Sequence, residues 1–262
     1  MRVAAIGLAT IFTVFLALPI ITLLARAAGV DGLLAAIQSP AVTSALGLSL
    51  VTTLVSLVVT VTFGTPLAYL LARRRFRGDL LVELVIDLPL VLPPSVAGLA
   101  LLLVFGRRGL LGDSFEALGL SIPFTTVAVI LAQTFVSAPF FIRSARAGIA
   151  SVPRDLEDAA RVDGATSAGV FRHVTAALAG PALAAGLVTS WARSLGEFGA
   201  TVLFAGNVTG RTQTLPLVVY AEFGAGDLDA AIAAAAVLVM AAVGVLVAVR
   251  LSRASREVGR LT

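Results

Sequence analysis

The sequence predicts an all-α polytopic membrane protein with six transmembrane helices, and three observations lead to this fold class. Of the 262 residues, 58% are hydrophobic and 13% are charged, whereas soluble domains carry about 25% charged residues. The apolar residues form runs of about 20 residues, the length of a helix that crosses a hydrocarbon core. Arginines concentrate in alternate connections between these runs, as in chains that cross a membrane repeatedly. We expect one membrane domain that covers residues 1–262.

Six apolar segments are the predicted spans. They lie near residues 3–24, 45–71, 84–105, 125–142, 176–204 and 230–249. The first could also be read as a secretory signal, because Arg2 precedes it and a small-residue stretch at 25–28 follows it. Its apolar run exceeds the roughly 7–15 residues of a signal core, so we interpret it as a retained helix.

Polar and helix-breaking residues mark the third and fourth spans. Pro89, Pro93 and Pro94 interrupt regular helix in the first half of the third span, because proline removes a backbone donor. They fit either a helix bent around a pathway or a kink buried in packing. Gln133 in the fourth span could likewise line a path or bond a neighbouring helix.

The fifth span contains two charged residues, Arg193 and Glu197, which are four positions apart and therefore on one helix face. Charges at membrane depth are costly unless they pair or line water. The pair is either a pathway or gate element or a structural ion pair, and the sequence favours neither. Gly196 and Gly199 beside it permit a bend or a close helix approach.

Arginine placement predicts that both termini are cytoplasmic, because positive residues near span ends stay on that side. The cytoplasmic segments would hold Arg2, Arg73, Arg74, Arg75, Arg77, Arg143, Arg146, Arg154, Arg161, Arg172, Arg250, Arg253, Arg256 and Arg260. The outer segments would hold only Arg26, Arg107, Arg108 and Arg211. The long inner segment 143–175 exceeds what a connection needs, and we interpret the outer segment 205–229 as a partly folded loop.

Missing residue types exclude several functions. The chain has no cysteine, one histidine and no lysine, so it lacks the lysine of a phosphate-binding P-loop and the ligand clusters of structural zinc sites. Any ATP chemistry must come from another subunit. His173 is expected to be a solvated or interface residue, and no nucleophile and base set points to an enzyme.

The inner segment predicts two short helices joined by a glycine turn. Ser151 can cap the first, Pro153 lies in its first turn, and Gly164 suits the left-handed residue that ends it. Thr166 or Ser167 can cap the second, which carries apolar residues at helical spacing.

The pattern Asp158-Ala159-Ala160-x3-Gly164-Ala165, followed by Phe171 and Val174, resembles the EAA loop of ABC importer permeases. That loop is the coupling helix of the family, which lies in a groove of the ATPase subunit. Two positions depart from the family pattern. Asp158 stands where glutamate is usual, with Glu157 adjacent, and Ala176-Ala177 replace the usual Leu-Pro.

A second resemblance begins in the fifth span. The segments 192–201, 204–207 and 210–217, together with Tyr220 and the proline-rich segment 88–98, resemble molybdate and tungstate permeases. Sulfate permeases share the Gly-Glu-aromatic-Gly core and the Ala-Gly-Asn of this region and are the nearest alternative, thiosulfate included. The resemblance covers residues 44–249.

The resemblance implies a type I ABC importer permease that moves an oxyanion across the cytoplasmic membrane without being an enzyme itself. Its implied partners are a second copy of the chain, two ATPase subunits that bind ATP and magnesium, and an external oxyanion-binding protein, with lipid as solvent and no nucleic acid. The chain itself would hold no cofactor or metal. The implied ATPase-coupling residues are Glu157, Asp158, Ala159, Ala160, Gly164, Ala165 and Phe171. The candidate pathway or gate residues are Arg193, Gly196, Glu197, Gly199, Thr201 and Asn207.

Two other classes fit less well. An ion-coupled secondary transporter places ionisable relays in several spans, whereas here only Arg193 and Glu197 are clearly deep. A membrane enzyme or scaffold would need a catalytic set or a structural role that no pattern indicates.

Overall fold

The computed structural model describes residues 2–30 and 33–258, and every regular element in these ranges is a helix. The helices are α1 (Arg2–Ala28), α2 (Leu33–Ile37), α3 (Pro40–Arg73), α4 (Asp79–Val91), α5 (Pro94–Phe105), α6 (Gly112–Ala117), α7 (Thr126–Ala150) and α8 (Arg154–Val162). They continue with α9 (Ser167–Val170), a π-helical turn (Phe171–Thr175), α10 (Ala176–Leu178), α11 (Gly180–Leu195), α12 (Gly199–Phe204), α13 (Leu215–Ala225) and α14 (Leu228–Val258).

Four of these helices are long and apolar enough to cross a membrane. Their apolar segments are Ala5–Ala28, Pro40–Arg73, Thr126–Ala150 and Leu228–Val247. A fifth crossing is added if the bent pair Ser167–Leu178 and Gly180–Leu195, with 76° between its halves, is one span. Helix length and composition therefore support four or five crossings in the described residues, and the predicted six are not established by this criterion.

The predicted third span, residues 84–105, is divided between α4 and α5. The break lies at Leu92 and Pro93, whose ψ angles of 133° and 135° are extended. Pro94 has no N–H, so α5 can begin there without losing a bond. Pro89, by contrast, lies inside α4. The proline cluster thus ends one helix and starts the next, and neither half alone reaches the length of a span.

One compact unit of the chain is formed by the described parts of Met1–Gly47 and Gln213–Thr262. Its core joins the beginning of α3 to α13 and α14. The buried apolar side chains are Val42, Ala45, Leu215, Val218, Ala234 and Val237. Helix α13 lies in the segment that we expected to be a partly folded loop. Its 11 residues are stabilised as a helix by the packing of the buried side chains of Leu215, Leu217 and Val218.

The second compact unit is Leu48–Thr212. Helix α7 lies at its centre and packs against α4, α5, α11 and α12. The α7 and α11 backbones approach closely, since a Cβ on Gly148 would stand 2.4 Å from the Ala182 Cβ. The Ser144 hydroxyl also donates to the Ala182 carbonyl at 2.7 Å. Small residues at a helix interface allow this approach.

Candidate functional site

The predicted coupling segment contains a short helix, α8, directly after α7. Ser151 does not cap α8 as the sequence suggested, because its hydroxyl donates to the Gly148 carbonyl at 2.8 Å and helps to end α7. Pro153 is the capping residue instead, without a side-chain bond. Asp155 and Glu157 occupy the first turn of α8, where the helix dipole favours acids.

The turn after α8 has the predicted geometry. Gly164 has φ +89°, a left-handed conformation that L side chains rarely adopt. Thr166 then caps α9 by accepting a bond from the Gly169 N–H at 3.2 Å. A helix, a glycine turn and a second helix therefore follow one another as the sequence indicated.

The two adjacent acids of α8 differ in burial. Glu157 is 2% exposed, and its Oε1 lies 2.6 Å from the Arg73 guanidinium at the end of α3. The Thr175 hydroxyl donates to the same Oε1 at 2.7 Å. Asp158 points to solvent and pairs with Arg161 on the next turn. Glu157 thus anchors α8, whereas Asp158 lies on its free face.

A π-helical turn positions Thr175 for this contact. The turn covers Phe171–Thr175, and such turns occur mostly as single insertions at functional places. The Phe171 ring meets the Tyr69 ring edge-on at a centroid distance of 5.5 Å. The segment that leads into α11 is therefore attached to α3 by an aromatic pair, and to α8 by a hydrogen bond to Glu157.

The other residues predicted to contact the ATPase lie mostly on an accessible surface. Asp158, Ala159, Gly164 and Ala165 are exposed, and Ala160 is half-buried. Val162 is 87% exposed on the same short helix. Asp158 and Val162 are therefore both accessible to a partner on this short helix.

Arg193 and Glu197 form a close ion pair, with Arg193 Nη2 2.8 Å from Glu197 Oε2. The Glu197 side chain is fully buried, while that of Arg193 is 28% exposed. Glu197 Oε1 also accepts a bond from the Ala200 N–H at 2.7 Å. The carboxylate therefore bridges the end of α11 and the first turn of α12 across the break at Gly196.

Two glycines hold α5 against α12. A Cβ on Gly199 would stand 2.7 Å from the Pro94 Cβ, and one on Gly98 would stand 2.6 Å from the Ala200 carbonyl oxygen. Both positions therefore exclude a side chain. Gly196 differs, because it is exposed at the end of α11 and a Cβ there would meet nothing closer than 3.7 Å.

The last two candidate pathway residues lie in different surroundings. Thr201 is fully buried on α12 and, within the described ranges, its hydroxyl has no hydrogen-bond partner. Asn207 is exposed in the connection that follows α12. Burial therefore separates these two candidates, and only Thr201 is part of the packed interior.

A seam of buried hydroxyls was missed by the sequence reasoning. On α3 the fully or almost fully buried members are Ser49, Thr52, Thr53, Ser56 and Thr60. Thr134 of α7 donates to the Ser56 hydroxyl at 3.0 Å, and the Ser194 hydroxyl of α11 lies 3.5 Å from it. The spacing 49, 53, 56 and 60 follows one helix face and could have revealed the seam. Among the described residues no group of three metal-ligating acids or histidines occurs.

Comparison with protein families matches residues 64–256 to the binding-protein-dependent transport system inner membrane component. The molybdenum transport system permease protein ModB of Mycobacterium bovis is 44% identical over 238 residues, which cover 90% of this chain and 89% of that protein. The sulfate transport system permease protein CysT of Salmonella typhimurium is 34% identical over 205 residues, covering 78% and 74%.

Solved structures have the same fold. A bacterial ABC transporter involved in the import of the polysaccharide alginate contains a chain that superposes with a TM-score of 0.74 at 21% identity, covering 98% of this chain and 95% of that one. A chain of an alginate transporter in complex with a periplasmic protein matches with a TM-score of 0.74 at 20% identity, covering 95% and 92%. This chain is therefore an all-helical protein with the fold of type I ABC importer permeases, and it belongs to the family of binding-protein-dependent transport system inner membrane components.

Proposed function

We propose that this chain is the permease subunit of an ATP-driven importer that carries molybdate or tungstate into the cell. The observation that carries the proposal is the 44% identity to a molybdenum transport permease along 90% of the chain. The coupling segment supports it, because α8 presents an exposed face while its opposite side is anchored on Glu157.

The proposed assembly is a homodimer in the cytoplasmic membrane, with two separate ATPase subunits inside and an oxyanion-binding protein outside. In the proposed topology α4 and α5 make one crossing together, α11 and α12 make another, and six crossings leave both termini in the cytoplasm. The support for this orientation is the concentration of arginines in alternate connections.

Coupling in the proposed mechanism begins at the exposed face of α8, where Asp158, Ala159 and Val162 meet the ATPase. Closure of the ATPase pair upon ATP binding moves α8. Arg73 and Thr175 both donate hydrogen bonds to the Glu157 carboxylate. The displacement of α8 is therefore transmitted to the end of α3 and to the segment that leads into α11. The chain thereby shifts between two arrangements of its helices, and ATP biases the equilibrium between them.

In the same mechanism the break between α11 and α12 belongs to the gate. Gly196 supplies the bend, Gly199 allows α12 to lie against α5, and Glu197 joins the two half-helices through its bonds to Arg193 and Ala200. Thr201 and Asn207 follow on the same segment. The ion pair gives the gate a fixed shape, and the Arg193 side chain remains 28% exposed.

A sulfate importer is the second candidate, because the sulfate permease relative is 34% identical over 205 residues. Molybdate and sulfate are both tetrahedral dianions, so the same hydrogen-bond donors and positive charges in a permease can bind either anion. The larger identity to the molybdenum permease favours molybdate.

ATP hydrolysis in proteoliposomes tests the proposal. The chain is reconstituted with an ABC ATPase subunit of the same organism, and an oxyanion-binding protein of that organism is added with molybdate, tungstate or sulfate. We expect molybdate and tungstate to stimulate hydrolysis and sulfate not to. If only sulfate stimulated ATP hydrolysis, the chain would be assigned to a sulfate importer instead. If the chain formed no complex with the ATPase, the permease function would be contradicted.

A further inference from the structure

A cleft lies at the end of α7 that is remote from the coupling helix. The 25 residues of α7 separate the two ends by about 37 Å, at about 1.5 Å per residue. The cleft has a volume of about 530 Å³, and Arg107, Ser121, Phe124, Thr125 and Arg211 contribute to its walls. None of the lining residues is acidic.

The charged groups of this cleft are two exposed guanidinium groups. Arg107 and Arg211 both line it, and within the described part of the chain neither guanidinium has a carboxylate within 4.0 Å. Thr125 is the cap of α7, so the positive end of that long helix dipole also faces this region. Guanidinium groups and helix amino ends are among the groups that bind oxyanions.

The loop that carries Arg107 has a tightly defined shape. A Cβ on Gly106 would stand 2.3 Å from the Leu102 carbonyl oxygen, and one on Gly112 would stand 2.4 Å from the Arg107 carbonyl oxygen. The loop also returns to α5 through a bond from the Leu110 N–H to the Leu103 carbonyl at 2.9 Å. Side chains larger than hydrogen are excluded at both glycines, so the backbone on either side of Arg107 has a defined path.

The other walls are ordered as well. Phe124 has φ +60°, a costly conformation for an aromatic residue that persists where the surroundings enforce it, often at functional sites. Its ring occupies space that a Cβ on Gly206 would enter at 2.9 Å. The Thr126 hydroxyl donates to the Arg211 carbonyl at 2.9 Å, which ties the second arginine to the start of α7.

We propose that this cleft is an oxyanion-binding subsite of the permease itself, which takes a tetrahedral dianion before the anion reaches the gate. The proposal rests on the proposed function for its choice of anion. Two arginines without a carboxylate partner, beside the amino end of α7, fit a small anion. An acidic surface of a binding protein is the alternative occupant.

The test uses the absence of native cysteine. Ser121→Cys is introduced into the purified permease–ATPase complex, and its labelling by a thiol reagent is followed without binding protein. Molybdate, tungstate and sulfate are titrated at constant ionic strength, with chloride as reference. We expect the oxyanions to slow labelling and chloride not to. In the Ser121→Cys background, Arg107→Ala and Arg211→Ala should each raise the half-protecting concentration about tenfold or more, since hydrogen bonds to charged groups are lost.

Arg108→Ala is the matched control, because it removes the same charge from the adjacent residue, which is not among those lining the cleft. The subsite would be overturned if oxyanions did not slow labelling of the Ser121→Cys protein. It would also be overturned if Arg108→Ala raised the half-protecting concentration as much as Arg107→Ala and Arg211→Ala do. If Arg107→Ala and Arg211→Ala weakened binding-protein affinity but left protection unchanged, the cleft would be a protein contact. Failure of the proposed function would appear separately, as loss of ATPase assembly in the parent chain.

Discussion

The carboxylate of Glu157 on α8 lies 2.6 Å from the guanidinium of Arg73 at the end of α3, and both side chains are almost fully buried. The contact joins residues 84 positions apart. Because buried charges need partners, the pair holds α8 in a defined position against the end of α3. It also leaves the other face of α8 free for a partner.

Glu157→Gln should lower stability and coupling together. The change leaves Arg73 buried without its counter-charge, which costs about 3–5 kcal/mol. Thermal unfolding in detergent and transport per ATP hydrolysed would both report the loss. Asp158→Asn is the matched control, since Asp158 is exposed and its loss should cost less than about 1 kcal/mol. Equal unfolding temperatures for the two variants would contradict the anchoring role.

Gly164→Ala should weaken coupling through the backbone alone. A Cβ there would meet no atom within 4 Å, yet φ is +89°, so the cost is conformational and about 1–2 kcal/mol. ATPase stimulation by the loaded binding protein is the measurement. Gly47→Ala also places its Cβ in open space but inside helix α3, and should be neutral or stabilising. Unchanged stimulation in Gly164→Ala would refute the role of the turn.

Gly98→Ala should disturb the contact of α5 with α12. Its Cβ would stand 2.6 Å from the Ala200 carbonyl oxygen, so the helices must separate at a cost of about 1–3 kcal/mol. A lower unfolding temperature and slower transport are expected. Gly224→Ala, where the Cβ meets nothing within 4 Å, provides the control. If Gly98→Ala had the unfolding temperature and transport rate of the wild type, α5 and α12 would not be in close contact in the transporting protein.

Replacement of Glu197 separates the two interpretations of the Arg193–Glu197 pair. Glu197→Ala removes the acceptor of the Ala200 N–H and the partner of Arg193, so we expect a loss of about 3–5 kcal/mol. Glu197→Gln keeps an oxygen for Ala200 and should lose less. If Glu197→Gln retains wild-type stability but loses transport, the carboxylate charge serves the pathway. If Glu197→Gln loses both stability and transport, the pair is a structural ion pair.

Single cysteines test the proposed orientation. Ser167→Cys, next to the coupling helix, should resist an impermeant thiol reagent added to intact cells. Asn207→Cys should react with it, since both residues are exposed but lie in segments predicted on opposite sides. Labelling of Ser167→Cys from outside would show that the orientation in the membrane is opposite to the proposed one.

Sequence reasoning predicted the two short helices and the glycine turn between them, because Gly164 and Thr166 act locally, one through its left-handed backbone and the other through its capping hydroxyl. Composition likewise established a helical membrane protein, since lipid requires every backbone group to bond within a helix. The family followed from local residue patterns around Asp158 and Glu197. These features depend on neighbours only a few positions away.

Tertiary structure alone decided which acid of α8 is buried, because this depends on Arg73 and Thr175 arriving from distant segments. It also showed Ser151 ending α7, the helix α13 in a segment expected to be partly folded, and the division of the third span at Leu92 and Pro93. The Arg107 and Arg211 cleft is a further example, since residues more than 100 positions apart line one wall. Long-range packing sets helix rotation and side-chain burial, and a single sequence does not record which segments meet.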